Sequence, residues 1–140
     1  MTTAIDSNVL IALWNEDDTL NTLARSALDA ALGRGSLVIA APVFAELLAA
    51  RSRNEAFLDF FCKETGISVD WNLGEAVWRA AGRAFQHYVA RRRKRRNSDP
   101  RRILADFLIG AHALQNGFRF LTLDDRLYRA AFPRLAISTI

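Results

Sequence analysis

The chain has 140 residues, 51% of them hydrophobic, which is the size and composition of one globular domain and excludes a wholly disordered protein. Cys62 is the only cysteine, so neither an intramolecular disulfide nor a thiolate zinc site can form. No apolar run nears the roughly 18 residues of a membrane span, and Asp6 interrupts the N-terminus before it reads as a signal peptide, so a cytoplasmic protein is expected.

Strand and helix patterns alternate along the chain, which predicts an α/β fold with a mostly parallel sheet. Thr2 to Ile5 is a short apolar strand. Asp6 or Ser7 can cap a helix over Asn8 to Trp14 by accepting from its free N–H groups. A helix from Thr19 to Leu32 places Leu20, Leu23, Ala24, Ala27, Leu28 and Ala31 at helical spacing, and Gly33 and Gly35 end it. The strand Leu37 to Ala40 follows, then a helix from Pro42 to Ser52, with proline suited to its first turn. Asn54 opens a helix carrying Phe57, Leu58, Phe60 and Phe61. Gly66 separates it from a strand over Ile67 to Val69. A long helix from Leu73 to Arg92 turns Ala76, Val77, Ala80, Ala84 and Val89 inward and runs into an arginine block and the loop Asn97-Ser98-Asp99-Pro100. The helix Ile103 to Asn116, the strand Phe118 to Leu123, a short helix from Asp125 and a strand over Leu135 to Thr139 complete a single domain without repeats.

Four acids stand out against this pattern, each read at a handover from strand to helix: Asp6, Glu46, Asp106 and Asp124. Parallel strands share one carboxyl edge, where open α/β sheets hold their ligands. Carboxylates gathered there repel one another unless a divalent cation neutralises them, and oxygen donors of this kind suit Mg²⁺ or Mn²⁺. Taken singly, most of these acids have structural readings. Asp6 can cap a helix, Glu46 can complement a helix dipole, and Asp124-Asp125 can open a turn. Asp106 is different, because it sits on a largely apolar helix where an unpaired buried carboxylate is costly.

The segments Ile5-Asp6-Ser7-Asn8-Val9-Leu10, Pro42-Val43-Phe44-Ala45-Glu46-Leu47, Leu104-Ala105-Asp106-Phe107-Leu108-Ile109-Gly110-Ala111-His112-Ala113 and Leu121-Thr122-Leu123-Asp124 together resemble the PIN-domain ribonucleases, and within them the VapC-like toxins of toxin–antitoxin pairs. The resemblance spans the chain from first strand to last helix. It implies a small doubly wound, three-layer fold, with about five strands in a mostly parallel sheet flanked by helices. It also implies an acidic pocket binding Mg²⁺ or Mn²⁺, in which residues matching Asp6, Glu46, Asp106 and Asp124 form the metal-binding and catalytic set. Asn8 and Thr122 match positions that orient the acids by hydrogen bonding. Asp125 is a rival for the fourth place, although the family's Thr-x-Asp spacing selects Asp124. An RNA substrate, an antitoxin partner and a homodimer using Phe57, Leu58 and Phe61 also follow from the resemblance. The alternative is a non-catalytic nucleic-acid-binding module. A phosphotransferase with an aspartyl nucleophile fits less well, because position 8 is Asn where a second aspartate is usual.

The net charge of +4 is unevenly spread. Arg91, Arg92, Arg93, Lys94, Arg95, Arg96, Arg101 and Arg102 fall within twelve positions beside one acid, Asp99, and in the remaining chain 11 basic residues are outnumbered by 14 acids. Such a block fits a polyanion, with each guanidinium able to clamp a phosphate. It would track an RNA backbone without reading its sequence; a solvated loop or a site for an acidic partner segment are the other readings. His112 falls about 240° around its helix from Asp106 and reads as a packing or surface residue. His87 has no partner at ligand spacing, Cys62 reads as core, and Trp14, Trp71 and Trp78 read as core fillers rather than base-stacking rings.

Overall fold

The computed structural model describes residues 1–50, 53–95 and 102–139. Its strands are β1 (Thr2–Ile5), β2 (Ser36–Ala40), β3 (Ser68–Asp70), β4 (Arg119–Thr122) and β5 (Ile137–Thr139). The helices are α1 (Ser7–Trp14), α2 (Asn21–Arg34), α3 (Ala41–Leu48), α4 (Glu55–Thr65), α5 (Glu75–Arg95), α6 (Leu104–Gln115) and α7 (Asp125–Ala131). All four strand pairings are parallel, in the order β3-β2-β1-β4-β5. Thr3, Ala4 and Ile5 of β1 are all buried, as are Leu37 to Ala40 of β2. Burial on both sides of a strand requires cover on both faces of the sheet, and this is why parallel strands read as continuous apolar runs. The fold is the expected three-layer α/β arrangement.

The strand order creates a crevice. From β1 the chain builds outward through β2 and β3, then returns across β1 to lay down β4 and β5 on the other side. The carboxyl ends of β1 and β4 are therefore neighbours at the point where the winding reverses, which is where open α/β sheets bind ligands. Register continues past the end of β1: Ile5 faces Leu121, and the Asp6 N–H donates to the Leu121 carbonyl at 2.9 Å. Asp6 is thus fixed to the sheet one residue beyond the strand.

Helix α6 is buried continuously from Phe107 to Ala113 and packs chiefly along α5. Val77, Ala80, Ala81 and Ala84 form the inward face of α5, while Ala76 is exposed and Val89 only half-buried, a face rotated slightly from the expected one. The small alanines allow close approach of the two helices. Gly110 of α6 is required by a different contact: a Cβ there would lie 2.4 Å from the ring of Phe132, the residue that follows α7.

Most helices follow the predicted course, with four differences in extent or burial. Helix α3 ends at Leu48, because the N–H groups of Ala49 and Ala50 turn back to the carbonyls of Glu46 and Leu47 in a tightened last turn. Helix α5 runs on to Arg95, so Arg91 to Arg95 are helical; arginine is a good helix former, and Arg92 stacks one turn above Tyr88, whose hydroxyl it approaches at 3.4 Å. Leu58 is buried in the core, which removes it from the expected dimer surface; Phe57 and Phe61 instead pack edge-on against Trp14. Trp71 and Trp78, expected in the core, are 63% and 54% exposed. Among the described residues no helix is long and apolar enough to cross a membrane.

Candidate active site

Asp6 is the N-cap of α1. Its Oδ1 accepts the Ser7 N–H at 2.8 Å and its Oδ2 accepts the Thr122 hydroxyl at 2.8 Å. The structural reading of this residue is therefore true, but a capping aspartate is ordinarily solvated, whereas Asp6 is 5% exposed. Burial pushes its carboxyl up to about 6, against the hydrogen bonds from Thr122, Ser7 and Tyr128, and the charge of Asp106 adds to the rise. Asp6 is a buried acid whose described partners are all neutral donors.

Glu46 reaches the same pocket from α3. It lies in the second turn of that helix rather than at a strand end, and its Oε1 accepts the Ser7 hydroxyl at 3.0 Å. Burial raises its pKa, the Ser7 bond opposes this, and the charges of Asp6 and Asp106 add to it. Asp106 arrives from α6, whose N-terminus is entered from α5 rather than from a strand. Its Oδ2 accepts the Ile103 N–H at 3.3 Å. Burial raises this carboxyl too, opposed by that N–H and by Arg102, with the charge of Asp124 adding to the rise. Three acids from three segments thus lie near enough for their charges to act on one another.

Asp124 occupies the N-cap position of α7 but makes no cap bond with its side chain. It pairs with Arg102, Nη2 to Oδ2 at 2.8 Å. The neighbouring Asp125 turns away and pairs with Arg129 one turn on, at 2.6 Å, and that partner lowers its pKa. Asn8 and Thr122 form the brace between these elements. The Thr122 hydroxyl accepts from Asn8 Nδ2 at 3.4 Å and from the Asp124 N–H at 3.1 Å, and Asn8 Oδ1 accepts the Leu123 N–H at 3.2 Å.

Two members of the pocket carried no sequence signal. Ser7 read only as a possible cap, although its hydroxyl holds Glu46. Tyr128, buried on α7, lies against Asp6; burial and the charges of Asp6, Asp106 and Glu46 push its phenol far up, so it stays protonated as a donor. His112 is buried apart from this group, with Nε2 3.0 Å from Asp70 Oδ2. Of the eight basic residues, Arg91, Arg92, Arg93 and Lys94 lie on the last turns of α5, Arg95 ends that helix, and Arg102 reaches the acids; Arg96 and Arg101 lie outside the described residues.

Among the described residues no three His, Cys, Asp or Glu side chains stand ready arranged as a metal cage. The donor chemistry nevertheless suits a hard cation, since carboxylates raised by burial and by neighbouring acids are stabilised by positive charge. Mg²⁺ in particular takes only one or two protein carboxylates and keeps several waters, so a closed cage is not required.

A parallel sheet with a carboxylate crevice at its winding reversal defines a class, and comparison with known proteins specifies it. The PIN domain family model matches residues 3–133, and the chain belongs to that family. No curated protein matches the chain in sequence. Among solved structures, VapBC2 from Rickettsia felis bound to a DNA fragment from its promoter matches with a TM-score of 0.72 and 16% identity, covering 100% of this chain and 99% of that one. VapBC-1 from nontypeable Haemophilus influenzae matches at 0.67 and 18%, covering 99% and 98%. VapC20 from Mycobacterium tuberculosis, described as a toxin that cleaves the sarcin–ricin loop, matches at 0.62 and 15%, covering 91% and 94%. At these identities the likeness is one of fold.

Proposed function

We propose that this PIN-domain chain is a divalent-metal-dependent endoribonuclease, the toxin of a toxin–antitoxin pair. The observation that carries the reading is the meeting of Asp6, Glu46 and Asp106 at the β1/β4 crevice, where the charge of Asp106 acts on Asp6 and the charges of both act on Glu46. Asp6, Glu46 and Asp106 would hold the cation, with Asp124 beside them. A bound Mg²⁺ or Mn²⁺ would supply the positive charge that activates water and stabilises the departing oxygen of a phosphodiester.

The chain's own residues do the positioning. Thr122 and Ser7 aim Asp6 and Glu46 by donating to one oxygen of each, which leaves the other lone pairs for a ligand. Asn8 fixes Thr122 from behind. The carboxylates alone would repel RNA, and the cationic end of α5 offsets that repulsion while contacting phosphates without base readout. The fold shared with VapBC and VapC proteins supports a toxin role and an antitoxin partner. A homodimer is part of the same reading.

The test is cleavage of total RNA by the purified protein with Mn²⁺, with Mg²⁺ and with EDTA, alongside a folded Asp106→Asn variant. Cleavage that needs the metal and disappears in the variant is the expected result. Full cleavage by Asp106→Asn, or in EDTA, ends the proposal.

A further inference from the structure

Arg102 is built into the mouth of the acid pocket. Its side chain is 28% exposed, and Nη2 bonds Asp124 Oδ2 at 2.8 Å. It is held at its other end as well, because its backbone N–H donates to the Tyr88 hydroxyl at 2.8 Å. The Tyr88 ring stacks with Phe85 and packs against Phe107, the residue after Asp106. One aromatic cluster thus seats both the arginine and the first turn of α6. Among the described residues, Arg102 is the one cation whose charge opposes the rise of an acid in the group. The bond to Asp124 engages a single nitrogen, and a guanidinium has five N–H donors in a rigid fork.

We propose, on the nuclease reading above, that Arg102 donates to a non-bridging oxygen of the scissile phosphodiester, and that Asp124 holds this guanidinium instead of ligating the cation. The carboxylate oxygen that Arg102 occupies is a poor ligand for a dication, since monovalent and divalent positive charges would crowd one small group. Among the described residues, Asp6, Glu46 and Asp106 meet no such cation at hydrogen-bond distance. Arg102 also differs from the arginines of α5. They lie on the last turns of α5, whereas it is fixed at backbone and side chain beside the acids. A donor fixed where charge builds on the phosphate acts in the transition state, so its removal lowers kcat; a general phosphate contact raises KM instead.

The experiment compares full-length wild type with Arg102→Ala, Arg102→Lys, Asp124→Asn and Asp106→Asn. Mn²⁺ affinity is measured by calorimetry, and kcat and KM on a randomised-sequence oligoribonucleotide pool. Arg102→Ala and Asp124→Asn are expected to bind Mn²⁺ like wild type, while Asp106→Asn does not. The kcat of Arg102→Ala falls about 100-fold, the scale of losing one fixed oxyanion donor. Arg102→Lys keeps the charge and the fold but recovers little of the rate, because an ammonium lacks the fork. Loss of Mn²⁺ binding in Asp124→Asn equal to that in Asp106→Asn makes Asp124 a ligand and overturns the inference. So does tighter Mn²⁺ binding by Arg102→Ala, an unchanged kcat with a raised KM, or full activity of Arg102→Lys. Wild type that cuts no RNA with Mn²⁺ sinks the nuclease reading and this inference together, whereas wild type that cuts no faster than Arg102→Ala sinks this inference alone.

Discussion

The hydroxyl of Thr122 donates to the carboxylate of Asp6 at 2.8 Å across 116 positions of chain, tying the last residue of β4 to the residue that follows β1. Both groups are buried. Thr122→Val keeps the shape and removes the donor, leaving a buried carboxylate oxygen without it. The expected cost is about 2 kcal/mol, the range for a hydrogen bond to a charged group. It is larger at pH 8, where Asp6 is ionised, than at pH 5. Urea unfolding at the two pH values measures the difference; equal losses would show that the bond does not serve the charged form.

Asp6 gives the protein an unusual pH dependence. Its folded-state pKa of about 6 lies above the ordinary 3.8, so between these values the native state binds more protons than the unfolded one. Stability then falls as pH rises from about 4 through 6 and levels off above, with a loss of about 3 kcal/mol for a shift near two units. Glu46 and Asp106 are raised in the same direction and add to the slope. Asp6→Asn removes the largest part of this. It is expected to be inactive yet more stable than metal-free wild type at pH 7.5, with a flatter profile between pH 4 and 6. Mg²⁺ stabilises wild type more than the variant, because a ligand of the native state adds to its stability. Thermal melts across pH, with and without Mg²⁺, test both statements. An Asp6→Asn protein less stable than wild type at pH 7.5 would mean that the carboxylate contributes more as a cap than burial costs it.

Ser7 aims Glu46 through the 3.0 Å bond between Ser7 Oγ and Glu46 Oε1. Ser7→Ala loses that donor in a half-buried setting, so stability changes by no more than about 1 kcal/mol. The Glu46 pKa rises further, because the bond that opposed its rise is gone. Weaker Mn²⁺ binding is expected, together with an acidic limb of the pH–rate profile moved to higher pH. A calorimetric titration and a rate profile indistinguishable from wild type would leave Ser7 a helix-terminus residue and nothing more.

The parallel sheet was legible because its buried strands announce themselves as short apolar runs between helical periods, as in Leu37 to Ala40. The four acids could be picked out as candidates because each interrupts or ends an apolar segment, Asp106 most visibly. Of their partners, Thr122 and Asn8 were expected only through the family resemblance, while the bond of Ser7 to Glu46, and the roles of Tyr128 and Arg102, could not be picked out, since partnership is tertiary. In the sequence only the family's Thr-x-Asp spacing favours Asp124 over Asp125; in the fold Arg102 and Arg129 separate them, one 22 positions away and one from the next turn. Tyr128 reads as an aromatic on a short helix until β4 and β1 bring that helix over Asp6. Leu58 was misjudged for a related reason. Apolar residues lie on more than one face of α4, and only the tertiary fold shows that Leu58 is buried while Phe57 and Phe61 lie against Trp14.

The end of α5 limits how many of its cations one RNA strand can touch. At roughly 100° per residue, Arg91, Arg92, Arg93 and Lys94 point in four directions around the helix. Arg92 leans back toward Tyr88, while Arg91, Arg93 and Lys94 are exposed. A single-stranded polyanion lying along one side meets about two of the four. Each phosphate contact contributes about 0.7 to the slope of log K against log salt for single strands. Neutralising all four is therefore expected to lower the magnitude of that slope by about 1.4, two contacts' worth. Binding of a catalytically inactive background such as Asp106→Asn to an oligoribonucleotide between 50 and 200 mM salt, conditions over which such contacts are well resolved, gives the number. A change near four contacts' worth would mean that the helix end unwinds onto RNA. An unchanged slope would return these residues to a solvated surface and leave RNA capture to Arg102 and the residues between Arg95 and it.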